Sequence, residues 1–181
     1  MGEKIGIIGA GSWGIALSIL LNRLKYKTYM WEPIKENYEI LIKERESPDY
    51  FKGVKIPRSI EISNSIKDVV RETTILIIVV RSYFFRKTIK LIKKFYRNQP
   101  FLIGTKGLDF KNCKRMSEIL KEEINTENFA VISGPTIAKE IVKGYPTAAV
   151  IASYNNSIAE YFQKLISNEK FRIYTTNDVI G

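Results

Sequence analysis

Short apolar runs alternate along the chain with longer stretches in which apolar residues recur every three or four positions. The runs fall at 5–8, 28–31, 75–80, 101–103, 130–132 and 148–152, and FRIYTTND at 171–178 reads as a further strand. The six runs show little polar alternation, which suits strands buried on both faces, as in a parallel sheet covered by helices. Helical patterns occupy 13–24, 34–46, 83–96, 113–124, 136–142 and 157–166. Strand and helix signals in alternation predict an α/β fold, a Rossmann-like doubly wound and mostly parallel sheet with helices on both faces. The stretch 47–62 breaks the rhythm with Pro48, Gly53 and Pro57 and reads as a surface loop beside the sheet. With 181 residues and no repeat, low-complexity tract or Gly/Ser linker, a single domain over 1–181 is expected.

Composition works mainly by exclusion. The longest apolar run, ILIIVV at 75–80, is far short of the roughly 20 residues that span a bilayer. The N-terminus lacks the basic region, apolar stretch and cleavage site of a signal peptide. Cys113 is the only cysteine, so no intrachain disulfide can form and a cytoplasmic setting is expected. The sequence contains no histidine, which removes Ser-His-Asp and Cys-His triads and any His-ligated metal within these residues. A proton donor or base must then be Lys, Tyr, Asp, Glu or Cys113.

The net charge of +10 arises from 29 basic and 19 acidic residues. The basic residues are spread over the predicted helices, among them Lys35, Lys43, Lys87, Lys90 and Lys121, and form no dense arm. No aromatic stacking motif accompanies them. The charge therefore reads as a solvated surface that also steers phosphates, and nucleic acid is not an expected partner.

The candidate chemistry begins at IGIIGAGSWGIALSILL, residues 5–21, where Gly9, Gly11 and Gly14 fall in G-x-G-x-x-G spacing between a strand and a helix. In a dinucleotide cradle Gly9 permits the tight turn, Gly11 lets the backbone approach a pyrophosphate, and Gly14 lets helix pack on strand. The same glycines could serve packing alone. Glu32 follows the second strand, 23 residues after Gly9. A carboxylate there accepts hydrogen bonds from a ribose and repels a 2′-phosphate, which favours NAD over NADP. It could equally be a helix N-terminal acid, and nearby Lys35 argues in the opposite direction on cofactor choice.

Three later stretches, TKGLD (105–109), ISGPTIAKEI (132–141) and FRIYTTNDVIG (171–181), follow GAGSWG in order. Together they resemble the N-terminal half of NAD(P)-dependent sn-glycerol-3-phosphate dehydrogenase, and YFKGVKIP (50–57) is similar to that family's loop in the same place. The resemblance covers the chain from Lys4 to Gly181. It implies reversible reduction of dihydroxyacetone phosphate to sn-glycerol 3-phosphate with NAD(P)H, feeding glycerophospholipid synthesis. It also implies that Lys106 contacts cofactor and substrate, that Gly134 and Thr136 contact substrate, and that Ser12, Trp13 and Ala138 contact cofactor. Pro135 is expected to open the helix that follows it.

Two departures qualify the resemblance. The family reads V-P-S where this chain has Val80-Arg81-Ser82, so Arg81 either alters a turn that proline would stiffen or adds positive charge near phosphate. The family's principal catalytic lysine and all-helical substrate domain lie beyond the position of Gly181. The 181 residues alone are therefore expected to bind cofactor with little or no turnover, and homodimers are an expectation for the full-length form only. A non-catalytic NAD-binding or sensing module and a related dehydrogenase of the same superfamily are the alternatives.

Overall fold

The computed structural model describes residues 2–181. Strands β1 (Lys4–Ile8), β2 (Lys27–Trp31), β3 (Glu61–Ser63), β4 (Ile75–Ile78), β5 (Phe101–Ile103), β6 (Phe129–Ser133), β7 (Thr147–Ala152) and β8 (Phe171–Thr176) form one sheet. Helices α1 (Ser12–Arg23), α2 (Lys35–Glu44), α3 (Ile66–Glu72), α4 (Ser82–Lys93), α5 (Met116–Ile124), α6 (Ala138–Lys143) and α7 (Asn156–Ile166) connect them in alternation. The strand order is β3-β2-β1-β4-β5-β6-β7-β8. β1 to β6 are parallel, β7 runs antiparallel to β6, and β8 is parallel to β7. The chain winds outward from β1 in one direction and then returns to β4 on the other side. That reversal opens a crevice at the carboxyl ends of β1 and β4, where ligands bind in folds of this kind.

The strands are apolar throughout because both faces are covered. In β4, Ile75 and Ile77 enter a core layer with Ile15, Leu17 and Leu21 of α1 and Phe162 of α7. Leu76 and Ile78 enter the opposite layer with Phe85, Ile89 and Ile92 of α4 and Ile119 of α5. All four β4 side chains are fully buried, each worth about 1.5–3 kcal/mol relative to exposure. Among the described residues no helix is long and apolar enough to cross a membrane.

The structure departs from the sequence reading in local ways. The stretch 47–62 is more than surface loop, since Phe51, Ile56, Ile60 and Ile62 are buried in the core. Its end forms the edge strand β3, which has three residues and too little pattern to be seen in advance. Helix α3 has seven residues and escapes periodicity for the same reason. Its signal is the cap, because the Ser65 hydroxyl accepts from the Asp68 N–H in a Ser-x-x-Asp pattern. Helix α6 begins at Ala138 with Ile137 as its N-cap, so Pro135 stands outside the helix it was expected to open. The Thr136 N–H donates to the Gly134 carbonyl at 2.8 Å, closing a tight turn over Pro135 that delays the helix.

Candidate dinucleotide site

The three glycines of GAGSWG do different work. Gly9 has φ +120°, and a Cβ there would lie 3.2 Å from the backbone of Val79 on the neighbouring β4 segment. At Gly14 a Cβ would lie 1.9 Å from the Gly9 carbonyl oxygen, so only glycine lets α1 pack this closely on the end of β1. At Gly11 a Cβ would meet nothing within 4 Å, and the backbone (φ −70°, ψ −177°) is open to any residue. Neither packing nor conformation requires glycine at Gly11. Gly11 is the N-cap of α1, provides no side-chain cap, and is followed by a first turn without an acidic residue. The helix end therefore presents free N–H groups and its positive dipole end to the crevice.

Two cavities meet at this loop. The first, about 200 Å³, spans the ends of β1 and β2 and the start of α2, and is lined by Gly9, Gly11, Glu32, Ile34 and Asp49 among others. The second, about 520 Å³, lies toward β5 and is lined by Gly11, Ser12, Trp13, Lys106 and Phe110 among others. Gly11, Tyr50, Val79, Val80 and Arg81 line both. A dinucleotide has the same plan, two nucleoside halves joined at a pyrophosphate.

Glu32 is only 7% exposed. Its Oε1 accepts a hydrogen bond from the Ile34 N–H at 2.9 Å, and among the described residues its Oε2 has no protein donor. Burial pushes the Glu32 carboxyl above the ordinary carboxylate range, and the Ile34 bond offsets part of that shift. One oxygen thus shapes the turn into α2, while the other remains available to a hydroxyl donor.

Lys106 is held by its neighbours. The Gly104 N–H donates to the Ile78 carbonyl at 2.9 Å, and the Thr105 hydroxyl donates to the Val80 carbonyl at 2.9 Å. These bonds tie the end of β5 to the end of β4. A Cβ at Gly104 would lie 3.0 Å from Trp13 Nε1, so the indole rests directly on that glycine. Gly107, with φ +97°, turns the chain immediately after Lys106, whose side chain is exposed.

The structure therefore brings Gly9, Gly11 and Glu32 to one cavity and Gly11, Ser12, Trp13 and Lys106 to the other. Gly14 lies beneath, between α1 and the loop. Gly134, Thr136 and Ala138 line neither cavity. They follow β6, which is parallel to β5, and so occupy the adjoining part of the same sheet edge. Gly134 has φ +148°, and a Cβ there would lie 3.1 Å from Ala149 Cα, so packing and conformation account for it. Sequence reasoning does not single out Tyr50, Gly104, Thr105 or Phe110. The available signals were an aromatic residue in a turn-rich loop and a glycine directly before TKGL.

At Arg81 the backbone has φ −62°, the value a proline ring imposes, so the turn keeps the shape that proline would give it. Its Nη1 donates to Tyr83 Oη at 2.9 Å. The phenol oxygens of Tyr83 and Tyr50 raise the guanidinium pKa further, so the side chain carries its charge throughout the working pH range.

The β3-β2-β1-β4-β5-β6 order, with a glycine loop and a bare helix N-terminus at the switch point, defines the class of dinucleotide-binding Rossmann domains. The family described as "NAD-dependent glycerol-3-phosphate dehydrogenase N-terminus" matches residues 4–159, and the chain belongs to that family. Glycerol-3-phosphate dehydrogenase (NAD(P)+) of Fusobacterium nucleatum is 34% identical over 181 residues, covering 98% of this chain and 54% of the relative. The Thermoanaerobacter sp. enzyme of the same name is 36% identical over 179 residues, again covering 98% of this chain and 54% of the relative. The crystal structure of glycerol-3-phosphate dehydrogenase from Coxiella burnetii matches with a TM-score of 0.93 at 29% identity, over 99% of this chain and 55% of that one. The chain spans about half the length of the curated relatives it matches.

Proposed function

We propose that these residues form the cofactor-binding half of a cytoplasmic glycerol-3-phosphate dehydrogenase that interconverts dihydroxyacetone phosphate and sn-glycerol 3-phosphate. The observation that carries the reading is Gly11, where the fold leaves room for a ligand it does not itself fill. When bound, the nicotinamide supplies or accepts the hydride. In this reading the N-terminus of α1 holds the pyrophosphate, and the Glu32 carboxylate accepts from a ribose hydroxyl. That carboxylate disfavours a 2′-phosphate, so NAD is preferred to NADP. Ser12 and Trp13 line the nicotinamide side, and Ala138 completes the cofactor contacts at the neighbouring edge. Lys106 places a cation where negative charge develops on the substrate oxygen, with Gly134 and Thr136 contacting the phosphate-bearing substrate. The family's principal catalytic lysine lies outside these residues, so turnover by them alone is little or none. Homodimers belong to the full-length form, and nucleic acid is not a ligand.

Thermal unfolding with and without NADH tests the reading. At a free concentration of 100 times Kd, NADH stabilises by about 2.7 kcal/mol, which for a domain of this size raises Tm by about 5–11 °C. An unmoved Tm in NADH, with a salt-sensitive rise on adding nucleic acid, would replace this function with nucleic-acid binding. Rapid NADH oxidation with dihydroxyacetone phosphate by the 181 residues would overturn their dependence on a further catalytic residue.

A further inference from the structure

We propose that Arg81 binds the cofactor, closing its guanidinium over the pyrophosphate from the β4 side, opposite the glycine loop. The inference rests on the dinucleotide reading above and assigns a role to a residue that reading does not use.

Position is the first argument. β1 and β4 are directly paired, with Ile8 opposite Ile78, and the Val79 N–H donates to the Ile8 carbonyl at 3.0 Å. The backbone just past β4 thus abuts Gly9, and Arg81 lies two residues further on. It lines both cavities and so stands at their junction, as Gly11 does from the other wall. A pyrophosphate linking two nucleosides in those cavities must cross between Gly11 and Arg81.

Local chemistry is the second argument. Arg81 is the N-cap of α4, makes no side-chain capping hydrogen bond, and precedes a first turn without an acidic residue. A cation at the positive end of a helix dipole is locally unfavourable, and an N-cap is normally a small hydrogen-bond acceptor. An anion held between the guanidinium and the helix end removes that conflict. The Tyr83 hydroxyl at 2.9 Å holds the guanidinium in place without neutralising it, and among the described residues Arg81 has no acidic partner within ion-pair distance.

Arg81 and Glu32 line one cavity, but the same geometry sets Arg81 nearer the pyrophosphate than the other phosphate an arginine could meet. The ribose 2′ position belongs at the end of β2, beside Glu32. β2 lies on the far side of β1 from β4, two strand spacings from the Arg81 segment, or about 10 Å. The pyrophosphate, at the end of β1, is one spacing away.

The test titrates NADH and NADPH by fluorescence into the wild type, Arg81→Gln, Arg81→Lys and Arg81→Pro, the last keeping the native φ. Arg81→Gln and Arg81→Pro should weaken both cofactors equally, by about tenfold at low salt, with Arg81→Lys in between. Raising salt should narrow the gap between wild type and Arg81→Gln. Unfolding midpoints near the wild-type value would show that the fold is intact. Wild-type NADH affinity in folded Arg81→Gln overturns the proposal, and so does a loss confined to NADPH, which places the guanidinium at the 2′-phosphate. A wild type that binds neither cofactor overturns the dinucleotide reading itself, an outcome distinct from both.

Discussion

Adding one methyl group at each of two glycines separates a ligand role from a packing role. In Gly14→Ala the new Cβ would lie 1.9 Å from the Gly9 carbonyl, against ordinary contact near 3.4 Å, so α1 must move off β1 by about 1.5 Å. That helix buries Ile15, Ala16, Leu17, Ile19, Leu20 and Leu21, and the displacement disturbs their packing. Overpacking of this kind costs about 1–3 kcal/mol or more, against a helix-propensity gain of at most about 1 kcal/mol. A net loss of about 2 kcal/mol lowers Tm by about 4–8 °C at this size. Gly11→Ala meets no atom within 4 Å and needs no change of backbone. Its weaker N-cap costs about 0.5–1 kcal/mol, which the stiffer unfolded chain offsets by about 0.4–1 kcal/mol. Its Tm should therefore stay within about 3 °C of wild type. In the proposed complex, however, that methyl stands where the pyrophosphate approaches, and an overlap worth about 1–3 kcal/mol raises the NADH Kd about 5- to 150-fold. Thermal unfolding and NADH titration on both variants decide the matter. Wild-type NADH affinity in Gly11→Ala, or a loss of stability matching that of Gly14→Ala, would refute the reasoning.

Burial raises the Glu32 pKa above its usual 4.5, so its contribution to stability is fully present below that value and is lost as pH rises through the folded pKa. Glu32→Gln, which keeps an acceptor for the Ile34 N–H, should be at least as stable as wild type at pH 7, with its advantage shrinking on acidification. Denaturant unfolding from pH 4 to 8 checks the sign, and the NADH-over-NADPH preference should narrow in the same variant. Gly104→Ala would place a Cβ 3.0 Å from both Trp13 Nε1 and Val79 Cγ1 and 3.3 Å from Ile132 Cγ2. It should cost about 1–3 kcal/mol, shift Trp13 emission in a Trp31→Phe background and weaken NADH; unchanged emission and affinity would separate Trp13 from the site.

Legibility followed element length and the nature of each constraint. The apolar runs of β1 and β4 were plain because burial on both faces demands unbroken apolar residues. Helix α4, with twelve residues, repeats its apolar positions often enough to be read, whereas α1 is buried without a break from Gly14 to Leu21 and is marked by the glycine loop before it. β3 and α3 were not, because three and seven residues complete too few periods, and the buried Phe51 and Ile56 lie in a stretch without any period. At the site, Gly9, Gly11, Glu32 and Lys106 were legible because motif spacing marks them. What spacing could not supply was the division of labour among the glycines, which depends on which backbone lies across from each. Nor could it show that Pro135 closes a turn ahead of α6, since proline suits both a first helical turn and the turn before it.

The distribution of acidic residues gives the crevice a local positive character that net charge alone does not. Helices α2, α3, α5 and α6 carry Glu36, Asp68, Glu118 and Glu140 in their first turns, where a carboxylate answers the helix dipole. Helix α7 has no such acid, but the Asn155 side chain caps it by accepting from the Ser157 N–H. Only α1 and α4 have neither device, and they begin with Gly11 and Arg81. Both start at the β1–β4 switch point. The Arg81 terminus forgoes about 1 kcal/mol of local stability and the Gly11 terminus a few tenths, and no pressure of packing explains the choice at Gly11. Departures from local rules that coincide in space mark function more sharply than a motif does, because each would be corrected at no cost to the fold if nothing bound there. The excess of lysine is spread over the surface, whereas the uncompensated positive charge of two helix ends and one guanidinium converges on a single crevice.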